Sequence, residues 1–143
     1  AGFAKGEEGM RGDLTWGVIQ KDLEGLSRRM GSTTQNLANA NTPKYVRREV
    51  SFEDQLEALI EAPRRLPLAV TDGHHMTNMP KGIEFVHPVE SRVGNEVYRY
   101  DENNVDPETE LARLAETRMM YQAMTRILGR KLSMYRTAIG GGR

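Results

Sequence analysis

The chain has 143 residues, enough for one ordinary domain and too few for two well-cored ones. Hydrophobic residues make up only 38%, with three Phe and one Trp, so the placement of apolar material matters more than its amount. Twenty basic residues balance 20 acidic ones and there is no cysteine, which excludes a general attraction to nucleic acid or anionic membrane, disulfides, thiolate metal sites and cysteine nucleophiles.

No apolar run approaches the roughly 18–20 residues that span a bilayer, so direct membrane insertion is not expected. Residues 1–9 hold neither an initiator Met nor an apolar signal core, and Met10 is a candidate start. Residues 1–12 are therefore expected to be a flexible N-terminus or a remnant foreign to the native protein.

The first readable element opens near Asp13, a good helix N-cap. Trp16, Ile19, Leu23, Leu26, Met30, Thr33 and Leu37 then recur at alternating spacings of three and four, which predicts one apolar stripe of a helix. Gly17, Gly25 and Gly31 each weaken that helix by about 1 kcal/mol relative to Ala, so it needs a partner. The stretch from Asn36 to Tyr45 ends it. Asn and Thr side chains compete for backbone hydrogen bonds, and Pro43 disfavours helical geometry at Thr42. The helix and this Asn/Pro turn fill residues 13–45.

Residues 46–62 are expected to hold a short helix starting at Ser51, with Phe52, Leu56, Leu59 and Ile60 on one side, stopped by Pro63 and Pro67. Residues 63–105 read as an irregular, partly extended middle. Ile83, Phe85, Val86 and Val89 suggest one strand-like piece and Val97, Tyr98 and Tyr100 another, with a turn at Gly94-Asn95.

The last element, residues 106–143, is the clearest. Asp106 is a strong N-cap, Pro107 suits the first helical turn, and Glu108 and Glu110 complement the positive end of the helix dipole. Leu111, Leu114, Arg118, Tyr121, Thr125, Leu128, Leu132, Tyr135 and Ile139 alternate at three and four until Gly140, Gly141 and Gly142 stop the helix. Met119, Met120, Met124, Ile127 and Met134 add apolar surface outside that stripe, wide enough for more than one partner.

The fold class that follows is mainly α, with long N- and C-terminal helices in a coiled-coil-like pair or bundle around an irregular middle. A helix of roughly 50 Å is long for a chain whose compact radius of gyration is about 14–15 Å, which points to assembly. The expected interface residues are Ile19, Leu23, Leu26, Met30, Leu37, Leu111, Leu114, Tyr121, Met124, Leu128, Leu132, Tyr135 and Ile139. The competing reading is that the methionines complete a monomeric core.

Ala38, Asn39, Ala40, Asn41, Thr42, Pro43, Lys44 and Tyr45 resemble a signature near the N-terminus of flagellar rod, hook and hook-associated axial proteins. Val50 to Asp54, Leu68 to Met76, Asn103-Asn104-Val105-Asp106 and the tail from Tyr121 to Ile139 are similar to segments of the proximal members of the flagellar basal-body rod family. The resemblance covers about residues 14–143. It singles out Ala38, Asn39, Asn41, Thr42, Pro43 and Tyr45 as a turn motif and Asn103, Asn104, Val105 and Asp106 as a helix-start motif. Lys44 departs from the pattern, which has Gly there. Either this turn uses a negative φ, or the chain accepts local strain.

The resemblance implies a non-enzymatic structural subunit without cofactors. It would self-assemble through its terminal helices into a helical tube that transmits torque from motor to hook. Its implied place is the periplasmic rod of the basal body, reached through the flagellar type III export apparatus without a cleaved signal peptide. Implied partners are further copies, other rod proteins and the adaptor joining rod to membrane ring. Another flagellar axial protein, or a soluble helical oligomeric adaptor, remains the alternative.

Other chemistry is poorly supported. Asp72, His74, His75 and His87 are zinc-type donors, but no H-x-x-x-H spacing exists and adjacent strand residues face opposite ways. From Leu111 to Arg143, Arg113, Arg118, Arg126, Arg130, Lys131, Arg136 and Arg143 outweigh Glu116, yet they interleave with an apolar seam and lack stacking aromatics on the same face. They are expected to meet acidic neighbours such as Glu49, Glu53, Asp54, Glu57 and Glu61, in the same or an adjacent subunit, rather than nucleic acid.

Overall fold

The capping chemistry around Asp106 sets the last helix. The Asp106 carboxylate accepts from the Glu108 N–H, Pro107 occupies the first turn, and helix α3 runs Pro107–Gly140. The computed structural model describes residues 3–61, 82–94 and 99–141, with only the backbone for residues 3–14 and for Glu84. Pro63, Pro67, Asp72, His74, His75, Asn95, Val97, Tyr98 and Gly142 lie outside the described residues, with the expectations attached to them.

Helix α1 spans Phe3–Ala38, about 54 Å long, and α3 about 51 Å. Asp13, expected as a cap, lies within α1 instead. Among the described residues between the two come strand β1 (Arg48–Ser51), helix α2 (Glu53–Glu61), a 3-10 turn at Ile83–Phe85 and strand β2 (Val89–Arg92). The architecture is mainly α, as expected from the periodicity, with two long terminal helices and a two-stranded sheet.

That sheet departs from the expected one. β2 pairs antiparallel with β1, Arg48 opposite Arg92 and Ser51 opposite Val89. The strand therefore precedes α2, where a helix had been read from Ser51. Ile83 and Phe85 belong to the 3-10 turn rather than to an extended piece. Short apolar runs do not distinguish strand from turn by spacing alone.

The core sits between α1 and the sheet–α2 layer. Leu26, Val50, Phe52, Leu56, Leu59 and Val86 are buried together, with Val18, Ile83, Tyr121 and Met124 against them. Two α1 glycines make this packing possible. A Cβ at Gly25 would lie 2.4 Å from carbons of the Phe52 ring, and one at Gly17 would lie 2.9 Å from the Ile83 side chain. Gly31 has open space around it. The helix penalty at Gly17 and Gly25 thus admits two side chains from the middle of the chain. Gln55 fastens α2 to the far segment, donating to the His87 carbonyl at 3.0 Å and accepting from its N–H at 3.1 Å.

Candidate assembly site

α1 and α3 pack antiparallel, and polar contacts fix both ends of the pair. Near the open ends the Trp16 and Tyr135 rings lie 5.7 Å apart, with the Lys131 ammonium 5.6 Å from the indole centroid. At the other end the buried Asn36 side chain donates to the Arg48 carbonyl at 2.7 Å and to the Glu110 carboxylate at 3.0 Å. Its oxygen accepts from the Arg48 N–H and the Tyr45 hydroxyl. Every donor and acceptor of that amide is used. Glu110, 1% exposed, also accepts from Arg47 and Arg113.

The Asn103-Asn104 pair closes the same end. The Asn103 amide donates to the carbonyls of Asn39, Ala40 and Thr42 at 2.8–3.1 Å, so two N–H groups serve three acceptors. Its oxygen takes the Val105 N–H, turning the chain into α3. Asn104 accepts from the Arg47 N–H at 2.7 Å and donates to the Val93 carbonyl at 2.6 Å. The turn after α1, the sheet and the start of α3 are thereby tied at one point.

The other turn-motif residues complete it. Thr42 donates to the Asn39 oxygen and Asn39 to the Gln35 carbonyl, while exposed Asn41 receives Arg99 at 3.4 Å. Ala38 ends α1, Pro43 is exposed and Val105 is fully buried. Lys44 has φ 59, so of the two alternatives the chain accepts the left-handed conformation without Gly, and its N–H donates to the Asp101 carbonyl.

The face that α3 turns inward differs in part from the predicted stripe. Beyond Glu110 its least exposed positions are Arg113, which pairs with Glu110, and Leu114, Thr117, Tyr121, Met124, Leu128 and Lys131, and these last six alternate at three and four. Thr117, Met124 and Lys131 stand where the spacing had suggested Arg118, Thr125 and Leu132. Both series fit the same period, and the Glu110 contact selects the one that faces α1. On α1, Ile19 and Leu26 are buried within the single chain and Leu23, Met30 and Leu37 are partly covered. Leu111, Leu132, Tyr135 and Ile139 are exposed, as are Met119, Met120, Ile127 and Met134. A shallow groove of about 230 Å³ between α1, β1 and α3 is lined by Ser32, Thr33, Thr117 and Met120 among others, and its arginines are already paired.

The exposed faces of the two long helices are unlike. From residue 15 onward α1 exposes Thr15, Gln20, Ser27, Arg28, Gly31, Thr34, Gln35 and Ala38, all small or polar. α1 is covered on one side by α3 and on another by β1 and α2, whereas α3 packs chiefly on α1, with Tyr121 and Met124 reaching the core and Glu110 meeting Arg47. Most of the exposed apolar surface among the described residues therefore lies on α3, with Ile60, Phe85, Val89 and Tyr100 exposed elsewhere. Single exposed apolar residues are ordinary, but a row along one helix marks a contact surface.

No family model matches the chain. The flagellar basal body rod protein FlgB of Borrelia hermsii is 32% identical over 118 residues, covering 80% of this chain and 87% of that protein. The chain belongs to the FlgB family of flagellar basal body rod proteins. The FlgB protein of Bacillus subtilis is 29% identical over 130 residues, covering 89% of this chain and 96% of its own. Membership makes the chain a structural protein of the basal body rod, associated with other basal-body components, and not an enzyme.

The contacts that organise a FlgB chain of this kind were only partly legible. Glu110 read as a dipole partner, but it is a buried carboxylate holding two arginines. Asn36 read as a helix terminator, and Arg47 and Thr117 carried no signal. Only the two Asn pairs gave a hint, through their position at the helix ends. Among the described residues no group of three His, Asp or Glu is placed to hold a metal, and no helix is long and apolar enough to cross a membrane.

Proposed function

We propose that the chain builds the proximal part of the rod by self-association through its terminal helices, forming a helical tube that carries torque from motor to hook. The observation that carries this is the exposed apolar surface of α3, with Met120, Ile127 and Met134 along one flank and Leu132 and Ile139 beside the seam with α1. The antiparallel pair, clasped by Asn36, Asn103 and Glu110, is a stiff unit that would pass load along its axis. The proposed place is the periplasmic rod, reached by the flagellar type III apparatus rather than by a cleaved signal. The adaptor between rod and membrane ring and the other rod proteins are its proposed neighbours. Purified basal bodies from a strain carrying a tagged copy test the reading: the tag should lie at the motor-proximal end of the rod. A tag confined to the cytoplasm, or rods that form normally after deletion, would overturn it.

A further inference from the structure

Resting on the reading as a self-associating rod subunit, two surfaces of the same chain are complementary and are not in contact within it. Along α3, Met120, Ala123, Ile127, Arg130 and Met134 recur at three and four and are all exposed. Arg126 flanks the row. Among the described residues neither Arg126 nor Arg130 has an ion pair, although Arg29, Arg47, Arg48, Arg99 and Arg113 all do. The row is thus apolar with unneutralised positive charge on and beside it.

Helix α2 presents the opposite. Its Leu56 and Leu59 point into the core, which turns Asp54, Glu57 and Ile60 outward, Ile60 at 49% exposure. Glu53 is taken by Arg29, but Asp54 and Glu57 have no ion pair among the described residues. The nine residues of α2 run about 13 Å, close to the two-turn rise of about 10 Å between Ile127 and Met134. From residue 15 onward the exposed side of α1 offers no such acidic face. Both α2 and the α3 row look outward from one folded body, so one chain cannot close them on each other.

We propose that α2 of one copy docks on the outer face of α3 of the next, with Asp54 and Glu57 meeting Arg126 and Arg130 and Ile60 seated between Ile127 and Met134. The contact joins two different patches, so each copy keeps a free patch of each kind, and the assembly extends instead of closing as a two-fold dimer would. Charge chooses the partner face and its register, and the isoleucine and methionines supply the dry centre.

The full chain tests this directly, because its lack of cysteine allows single thiols to be placed cleanly. Ile60→Cys and Ile127→Cys chains are mixed, oxidised and scored for a disulfide-linked pair on a non-reducing gel, with Ile60→Cys against Thr34→Cys on exposed α1 as control. The expected result is a 60–127 cross-link well above the control, weakened by salt. It should be lost when the Ile127→Cys chain also carries R126E/R130E, or when the Ile60→Cys chain carries D54R/E57R. It should return when both reversals are present on opposite chains. A 60–127 yield no greater than the control, or one indifferent to the charge reversals, overturns the proposal. Basal bodies that contain the chain but lack the cross-link would overturn this contact and leave the rod reading standing; absence of the chain from basal bodies would overturn that reading separately.

Discussion

The Asn36 amide donates to the Glu110 carboxylate at 3.0 Å across the α1–α3 pair, with both side chains almost wholly out of water. A buried carboxylate is tolerated only when its oxygens are occupied, and here Asn36, Arg47 and Arg113 occupy them. Glu110→Ala strips all three at once and should cost about 3 kcal/mol. Glu110→Gln keeps the shape and the Asn36 contact but loses the charge facing two arginines, and should cost less. Urea unfolding of the two variants checks this: the midpoint should fall further for Ala, with the slope unchanged.

Gly25 and Gly31 sit six residues apart on α1 and should respond oppositely to alanine. Gly31→Ala meets nothing within 4 Å and should gain helix stability of about 1 kcal/mol. Gly25→Ala drives a methyl into the Phe52 ring, also held 5.0 Å from the Arg29 guanidinium, and should lose about 1–3 kcal/mol through overpacking. Thermal melts of the two proteins would separate these outcomes. Equal effects of one sign would show that Phe52 does not occupy the gap.

This contrast shows what the sequence conveyed and what it did not. The long terminal helices were legible because a three-and-four period over many turns has few other solutions, and Asp106-Pro107 marked one boundary to the residue. The side of α3 that faces α1 was not, because two overlapping series share that period. Choosing Thr117 and Lys131 over Arg118 and Leu132 takes the Asn36–Glu110 and Trp16–Tyr135 contacts, each between residues over 70 positions apart. Likewise, Gly25 reads as a helix defect until Phe52, from the other side of the Asn/Pro turn, is seen to need the space. The pairing of Arg48–Ser51 with Val89–Arg92 spans the middle of the chain and leaves no local trace.

Asp22 and Glu53 lie near Arg29 and titrate in opposite directions. Burial first, then the Glu53 charge, hold the Asp22 carboxyl above its ordinary range, against the pull of Arg29. For Glu53 burial is the largest single influence and acts upward, but hydrogen bonds from Arg29 and from the Glu53 and Phe52 N–H groups together outweigh it and leave the carboxyl below its ordinary range. The signs follow. Glu53 stabilises the fold fully above the ordinary carboxylate range, and that contribution is lost as pH falls through its lowered folded value. Asp22 favours the fold when protonated and weighs against it once pH rises above its raised folded value. Asp22→Asn should therefore raise the melting temperature at pH 7, with the gain fading on acidification. Glu53→Gln should lower it at pH 7 and converge with the parent in acid. Melts across pH 2–8 would show whether the two curves diverge in this way.

Lys44 holds φ 59 beside the Asn39–Thr42 turn, and a second left-handed residue, Glu102 at φ 61, sits across from it in the segment whose Asp101 carbonyl accepts the Lys44 N–H. A side chain in that conformation costs about 1 kcal/mol or more. Lys44→Gly removes the clash but adds freedom to the unfolded chain, so the net gain should be a few tenths to about 1 kcal/mol. Lys44→Val should be clearly destabilising, since branching at Cβ makes a positive φ worse. Denaturant midpoints ranked Gly, parent, Val would agree; a Val variant as stable as the parent would show that this turn does not hold Lys44 in the left-handed region.

Leu128 and Leu132 are one turn apart on α3 and separate folding from assembly. Leu128 is half-buried on the α1 side, whereas Leu132, at the margin of the same face, is 42% exposed. Leu128→Asp places a carboxylate in the intramolecular seam and should destabilise the single chain by about 2–3 kcal/mol, with loss of motility following from misfolding. Leu132→Asp touches solvent in the isolated chain and should shift its stability by no more than about 0.5 kcal/mol. Under the proposed self-association it should still abolish rod formation, because a charge then enters a dry contact between copies. Denaturation of the purified variants, set beside swimming and basal-body counts in strains carrying them, decides the matter. A stable Leu132→Asp chain in fully motile cells would remove this part of α3 from the interface and leave the inner seam as the helix's only role there.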